Sequence, residues 1–184
     1  KEMLKFAIYD CKGPVAIRYP REKLLASSIS KEFATNFAVP LTQFEPLRYG
    51  KAEVMARSGD LAILAVGSMT WPSCAAAISL SKEGIKASVV NARFIKPLDA
   101  ELLKELAART KRFVVVEEGV LEGGFGSAVL EFFEREGLDD VAIKRIGLPT
   151  KFIGHGKRGE LLKTYGLTAQ EIARQVKELF SKDI

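Results

Sequence analysis

FVVVEEGVLEGGFGSAVLEFFERE, residues 113–136, decides the fold. Phe113 to Glu118 is a short apolar run rich in valine, the pattern of a strand buried on both faces. Gly119 to Gly126 is a glycine loop, and Ser127 to Glu136 is a helix. A strand that passes through a short loop into a helix is half of a crossover, and parallel strands require crossovers. Val114, Val115 and Val116 are therefore expected among the most buried residues, on a strand that is not at a sheet edge.

The same unit recurs on either side. Upstream, Asp60 to Val66 is an apolar strand, GSMTWP follows, and a helix runs from Pro72 to Glu83 with Gly84 as its stop. Lys86 to Asn91 is the next strand, and Asp99 is placed to cap a helix reaching about Arg109. Downstream, Val141 to Ile146 is a strand, Pro149 to Gly156 a loop and Gly159 to Tyr165 a short helix. Thr168 and Glu171 form a capping box for a last helix ending near Phe180. Lys51 to Arg57 fits an extra, antiparallel strand. The expected architecture is α/β: three α/β/α layers around a mostly parallel, mixed sheet.

The first 49 residues differ. Glu2 to Asp10 has a helical apolar face, Gly13 and Pro14 end it, and Val15 to Pro20 reads as a short strand. Residues 22–49 show no sustained period and read as an interdomain linker crossing a surface. The chain begins at Lys1 inside the first helix, as a piece of something larger would.

Composition narrows the function classes. The 184 residues are 47% hydrophobic and 28% charged, an ordinary globular balance. The net charge of +5 is spread along the chain without a like-charge block, which argues against nucleic acid as a partner. No apolar run approaches the roughly 20 residues of a membrane span, and no signal peptide is visible, so no membrane partner and a cytoplasmic location are expected. Cys11 and Cys74 form no CxxC and have no nearby histidine, so they read as reduced thiols or small core residues.

Four places could carry chemistry. The glycine loop, Gly119 to Ser127, could cradle an anion on backbone N–H groups, or simply let a helix pack close to a strand end. It lacks both nucleotide-binding spacings, which favours packing. Glu117 and Glu118 end a strand, where open α/β sheets place ligands. Adjacent strand residues face opposite sides, so they cannot form an acid/base pair; one should be solvated and the other should hold the glycine loop. His155 is the only histidine, without a metal-ligating companion. Arg18 and Arg21 flank Pro20, and arginine suits bidentate phosphate or carboxylate recognition; surface charges are the alternative.

GPVAIRYPR (13–21), ILAVGSMTWP (63–72), VVNARFIKPLD (89–99), VVVEEGVLEGGFGSAVLEF (114–132) and IGLPTKFIGHG (146–156) occur in this order. Together they resemble the C-terminal part of the 1-deoxy-D-xylulose-5-phosphate synthases, thiamine-diphosphate enzymes of the transketolase superfamily. VVNARFIKPLD with the glycine loop is the most diagnostic pair. The family often has glycine where this chain has Glu22. The resemblance implies that residues 1–21 are the tail of a pyrimidine-binding middle domain, 22–49 a linker and 50–184 a transketolase C-terminal domain. It implies a homodimer, with the N-terminal and middle domains of the same enzyme holding thiamine diphosphate and Mg²⁺. It places Arg21 on the arginine that grips the phosphate of D-glyceraldehyde 3-phosphate, and assigns no catalytic residue to this chain, which should be inactive alone. A transketolase or 2-oxoacid dehydrogenase β-type subunit, or a non-catalytic interaction module, are the alternatives. Trp71, Phe94 and Phe152 are the apolar side chains expected to support self-association.

Overall fold

The computed structural model describes residues 2–19, 27–37 and 47–180. Its centre is a five-stranded sheet of β1 (Glu53–Ala56), β2 (Leu61–Ala65), β3 (Ala87–Asn91), β4 (Arg112–Val120) and β5 (Ala142–Leu148), in the order β1-β3-β2-β4-β5. β2 pairs in parallel with β3 and β4, β4 with β5, and β1 runs antiparallel to β3 at the edge. This is the mixed, mostly parallel sheet expected.

Because successive side chains of a strand point to opposite faces, the apolar runs serve two layers. Ile63, Val89, Val114 and Val116 face one layer, packed with Leu80 of α3 (Thr70–Lys82) and Ile172 of α7 (Ala169–Phe180). Leu64, Val90, Phe113 and Val115 face the other. There α4 (Ala100–Arg109) supplies Leu103 and Leu106, and α5 (Phe125–Arg135) supplies Phe132 and Phe133. Every residue of β2 is buried, and Val114 to Val116 are at most 1% exposed. A short helix, α6 (Arg158–Thr164), follows the loop after β5. Asp99 caps α4 by accepting the Leu102 N–H, as its position in the sequence implied.

Three boundaries shift. A 3-10 turn, Gly67–Met69, leads into α3, which starts at Thr70 rather than Pro72. β4 continues to Val120 through a register irregularity after Val116, so Gly119 belongs to the strand. α5 starts at Phe125, two residues before the expected Ser127.

The N-terminal segment brings two corrections. α1 (Glu2–Tyr9) is present, but residues 14–19 are in no strand. A strand exists by virtue of its ladder partners, and none of the five strands runs beside these residues. Within the stretch expected to be an irregular linker lies α2 (Ser27–Phe37). Phe33 and Phe37, one turn apart, stack at 4.5 Å between ring centroids and pack on the α3–α7 layer. Among the described residues no helix is long and apolar enough to cross a membrane.

Candidate functional site

The sheet order creates one switch point. From β2 the chain goes through α3 to β3 on one side; from β4 it goes through α5 to β5 on the other. Ligands of open α/β sheets bind where such connections diverge, beyond the carboxyl ends of the strands. In this protein that place lies between Gly67-Ser68 after β2 and Glu117-Glu118 near the end of β4.

Glu118 occupies it. Its carboxylate accepts the Ser68 hydroxyl and both the Nε–H and an Nη2–H of Arg158, the Nε contact being 2.8 Å. Burial disfavours its charge, but the hydrogen bonds from Arg158 and Ser68 and the guanidinium's field outweigh this and hold the carboxyl below the usual range. Beside it, between the strand ends and α6, is a cavity of about 170 Å³ lined by Glu118, Arg158, Leu148, Ile153, Leu161 and Leu162.

Glu117 points to the opposite face, as alternation requires. Its two oxygens accept the N–H groups of Phe125 and Gly126, each at 2.8 Å. A Cβ on Gly124 would run into the Val120 carbonyl and the Glu117 carboxylate, and one on Gly126 would meet Arg145 Cδ at 2.8 Å. The loop is thus closed by side chain Arg145 and by Glu117; the anion at the α5 N-terminus is the protein's own carboxylate. Close packing, not a phosphate cradle, explains these glycines. The expected tie between one glutamate and the loop is present. The expectation that the other is solvated is corrected, because Glu118 is held by Arg158, a partner 40 residues away.

The remaining candidates are dispersed. His155 is exposed in the loop before α6. Arg18 is exposed, and Arg21 lies outside the described residues. Trp71 sits in α3 packed on the core, Phe94 is half-buried, and Phe152 is fully exposed, so of the three only Phe152 stands clear of the protein. Among the described residues no group of three or more His, Cys, Asp and Glu side chains is placed to hold a metal ion. The cavity beside Glu118 is smaller than the roughly 300–1,000 Å³ of cofactor pockets.

NARFIKPLD builds one further cluster. Arg93 pairs with Glu53 at 2.9 Å, Asn91 donates to the same carboxylate, and Asp99 accepts the Ala52 N–H at 3.0 Å. Phe94 meets Tyr49 and, from α1, Phe6. The motif was visible; its partners, distant in sequence, were not.

Residues 50–172 match the family model described as transketolase, C-terminal domain. The 1-deoxy-D-xylulose-5-phosphate synthase of Heliobacterium modesticaldum is 43% identical over 183 residues, covering 100% of this chain and 26% of the relative. That of Gloeobacter violaceus is 44% identical over 183 residues, covering 100% and 27%. The chain spans about a quarter of the length of these curated relatives. Among solved structures, a split gene transketolase described as an inactive beta4 tetramer aligns with a TM-score of 0.68 at 36% identity, over 73% of this chain and 45% of that one. Transketolase from Campylobacter jejuni aligns with a TM-score of 0.54 at 18% identity, over 70% and 18%, which supports the fold alone. Strand order, helix layers and family match agree: the chain belongs to the transketolase C-terminal domain family.

Proposed function

We propose that the chain is the C-terminal part of a 1-deoxy-D-xylulose-5-phosphate synthase, a transferase that condenses pyruvate with D-glyceraldehyde 3-phosphate to 1-deoxy-D-xylulose 5-phosphate and CO₂. One observation carries this reading. The identity of about 43% to a synthase extends over the whole chain, including the first 49 residues that the C-terminal domain model does not cover. In this reading residues 1–21 close the middle domain, 22–49 connect, and 50–184 form the C-terminal domain. Thiamine diphosphate and Mg²⁺ are held by the N-terminal and middle domains, the enzyme is a cytoplasmic homodimer, and its product feeds isoprenoid and thiamine synthesis. Arg21 supplies the planar fork that grips the aldehyde's phosphate. The chain alone performs no turnover.

A second reading, the C-terminal part of a transketolase, is favoured by the 36% identity to the split gene transketolase chain. One experiment separates the two. The chain is fused behind the first three quarters of the H. modesticaldum synthase, and product formation is followed with cofactor and Mg²⁺. Formation of 1-deoxy-D-xylulose 5-phosphate from pyruvate, absent without the fused chain, supports the first reading. A fusion that folds and binds cofactor yet uses only a phosphorylated ketose as two-carbon donor supports the second.

A further inference from the structure

The residues of NARFIKPLD act on one place. Asn91 donates from Nδ2 to Glu53 Oε2 at 3.1 Å, and its Oδ1 accepts the Arg93 N–H at 3.3 Å. Arg93 lies in the left-handed region at φ 55°. A bulky non-glycine residue stays there only when its surroundings over-determine it. Here the ion pair with Glu53 does so, its two side chains only 12% and 16% exposed. Pro97 presses on Gly50, where a Cβ would meet Pro97 Cγ at 2.9 Å and where φ is +67°. Asp99 fastens the next residues by accepting the Ala52 N–H and the Lys51 ammonium.

Each of these two positive-φ turns presents an aromatic ring. Phe94 directly follows Arg93, and Tyr49 directly precedes Gly50. The rings meet edge to face at 5.9 Å, and both receive Phe6 of α1, edge-on to Phe94 at 5.7 Å and stacked on Tyr49 at 6.2 Å. Among the described residues of α1, Phe6 alone is buried, while Met3, Leu4 and Ile8 are exposed. Phe6, seated on both rings, is thus the buried side chain by which the described part of α1 meets the domain.

We propose that Phe94 is a positioning residue: the Glu53–Asn91–Arg93 turn holds its ring as the seat for Phe6, and this joint fixes α1, which precedes Arg21 in the sequence, against the C-terminal domain. The consequence for substrate use rests on the reading of Arg21 given above; the joint itself does not.

Hydrogen exchange of the 184-residue chain tests the joint. In Phe94→Ala and in Phe6→Ala, amides of residues 2–9 exchange roughly 2- to 10-fold faster per lost ring contact, with those of β2 and β4 unchanged. Phe6 lies in α1, outside the sheet and the helices that cover it, so Phe6→Ala remains informative if Phe94→Ala disturbs the domain. Unchanged exchange of residues 2–9 in both variants, or equal acceleration of the whole chain in both, overturns the proposal. In the active fusion, Phe94→Ala raises KM for glyceraldehyde 3-phosphate several-fold and leaves KM for pyruvate in place. Arg21→Ala runs beside it. If Arg21→Ala leaves the aldehyde KM unaltered, the reading of Arg21 fails and the joint is judged by exchange alone. If Arg21→Ala raises it and Phe94→Ala does not, the positioning role is overturned.

Discussion

Glu117 Oε1 accepts the N–H of Gly126 at 2.8 Å while its other oxygen takes the N–H of Phe125 at the same distance. A helix N-terminus carries orphan donors and a positive field, and this one has no side-chain cap at Gly124. The carboxylate that satisfies it comes from the preceding strand instead, so β4, the glycine loop and α5 are tied into one unit. Glu117→Ala strands two buried donors and should destabilise the domain by about 2–4 kcal/mol. Gly124→Ala should be comparably harmful, since its Cβ collides with Glu117 and Val120. Gly159→Ala, where a Cβ meets nothing within 4 Å, should stay within about 0.5 kcal/mol. Urea unfolding of the three variants checks the order.

The ion pair at the switch point should be visible in acid. Burial opposes the Glu118 charge, but the hydrogen bonds from Arg158 and Ser68 keep its folded-state pKa below the ordinary carboxylate value. A depressed folded pKa adds stability above the unfolded pKa, near 4.3 for glutamate, and this stability is lost as pH falls through the folded value. Glu118→Gln should therefore cost stability at pH 7 and progressively less below about pH 4. Urea midpoints from pH 3 to 7 for both proteins test this, and a difference independent of pH would contradict it.

The two thiols should separate by reactivity. Burial, with a smaller contribution from the Glu53 carboxylate, pushes the Cys74 thiol up to about 12. Thiolate is the nucleophile, so Cys74 is inert at pH 8 while half-buried Cys11 remains accessible. Titration with a disulfide reagent should count one thiol per native chain and two after denaturation. Two in the native state would contradict the placement of Cys74 in the core.

The layers were legible because parallel strands buried on both faces leave continuous apolar runs such as LAILA and FVVV, and because Asp99, Gly84 and Thr168 mark helix ends by local chemistry. α2 was not legible. Its buried ring Phe33 and half-buried ring Phe37 make one helical contact, and one contact is no period. Residues 15–20 looked like a strand because residue type reports the preference for extended backbone, whereas a strand also needs a neighbour. At the site, the parity of Glu117 and Glu118 was readable from alternation. Which one bound the loop, and that Arg158 held the other, depended on a partner 40 residues away that alternation cannot reveal. Arg18 and Arg21 drew attention through side-chain chemistry alone, and the distant partners of Phe94 left no local trace.

The functional account is tested most directly by the kinetics of Arg21→Ala in the fused synthase. Charge-assisted hydrogen bonds to phosphate contribute roughly 1.5–3 kcal/mol, which corresponds to about 10- to 100-fold. The account predicts that Arg21→Ala raises KM for glyceraldehyde 3-phosphate by about that factor, leaves KM for pyruvate nearly unchanged and barely affects a non-phosphorylated aldehyde. Arg21→Lys should recover part of the loss, because an ammonium cannot make the bidentate contact. Wild-type kinetics toward the phosphorylated aldehyde in Arg21→Ala would contradict it and leave Arg21 a surface charge.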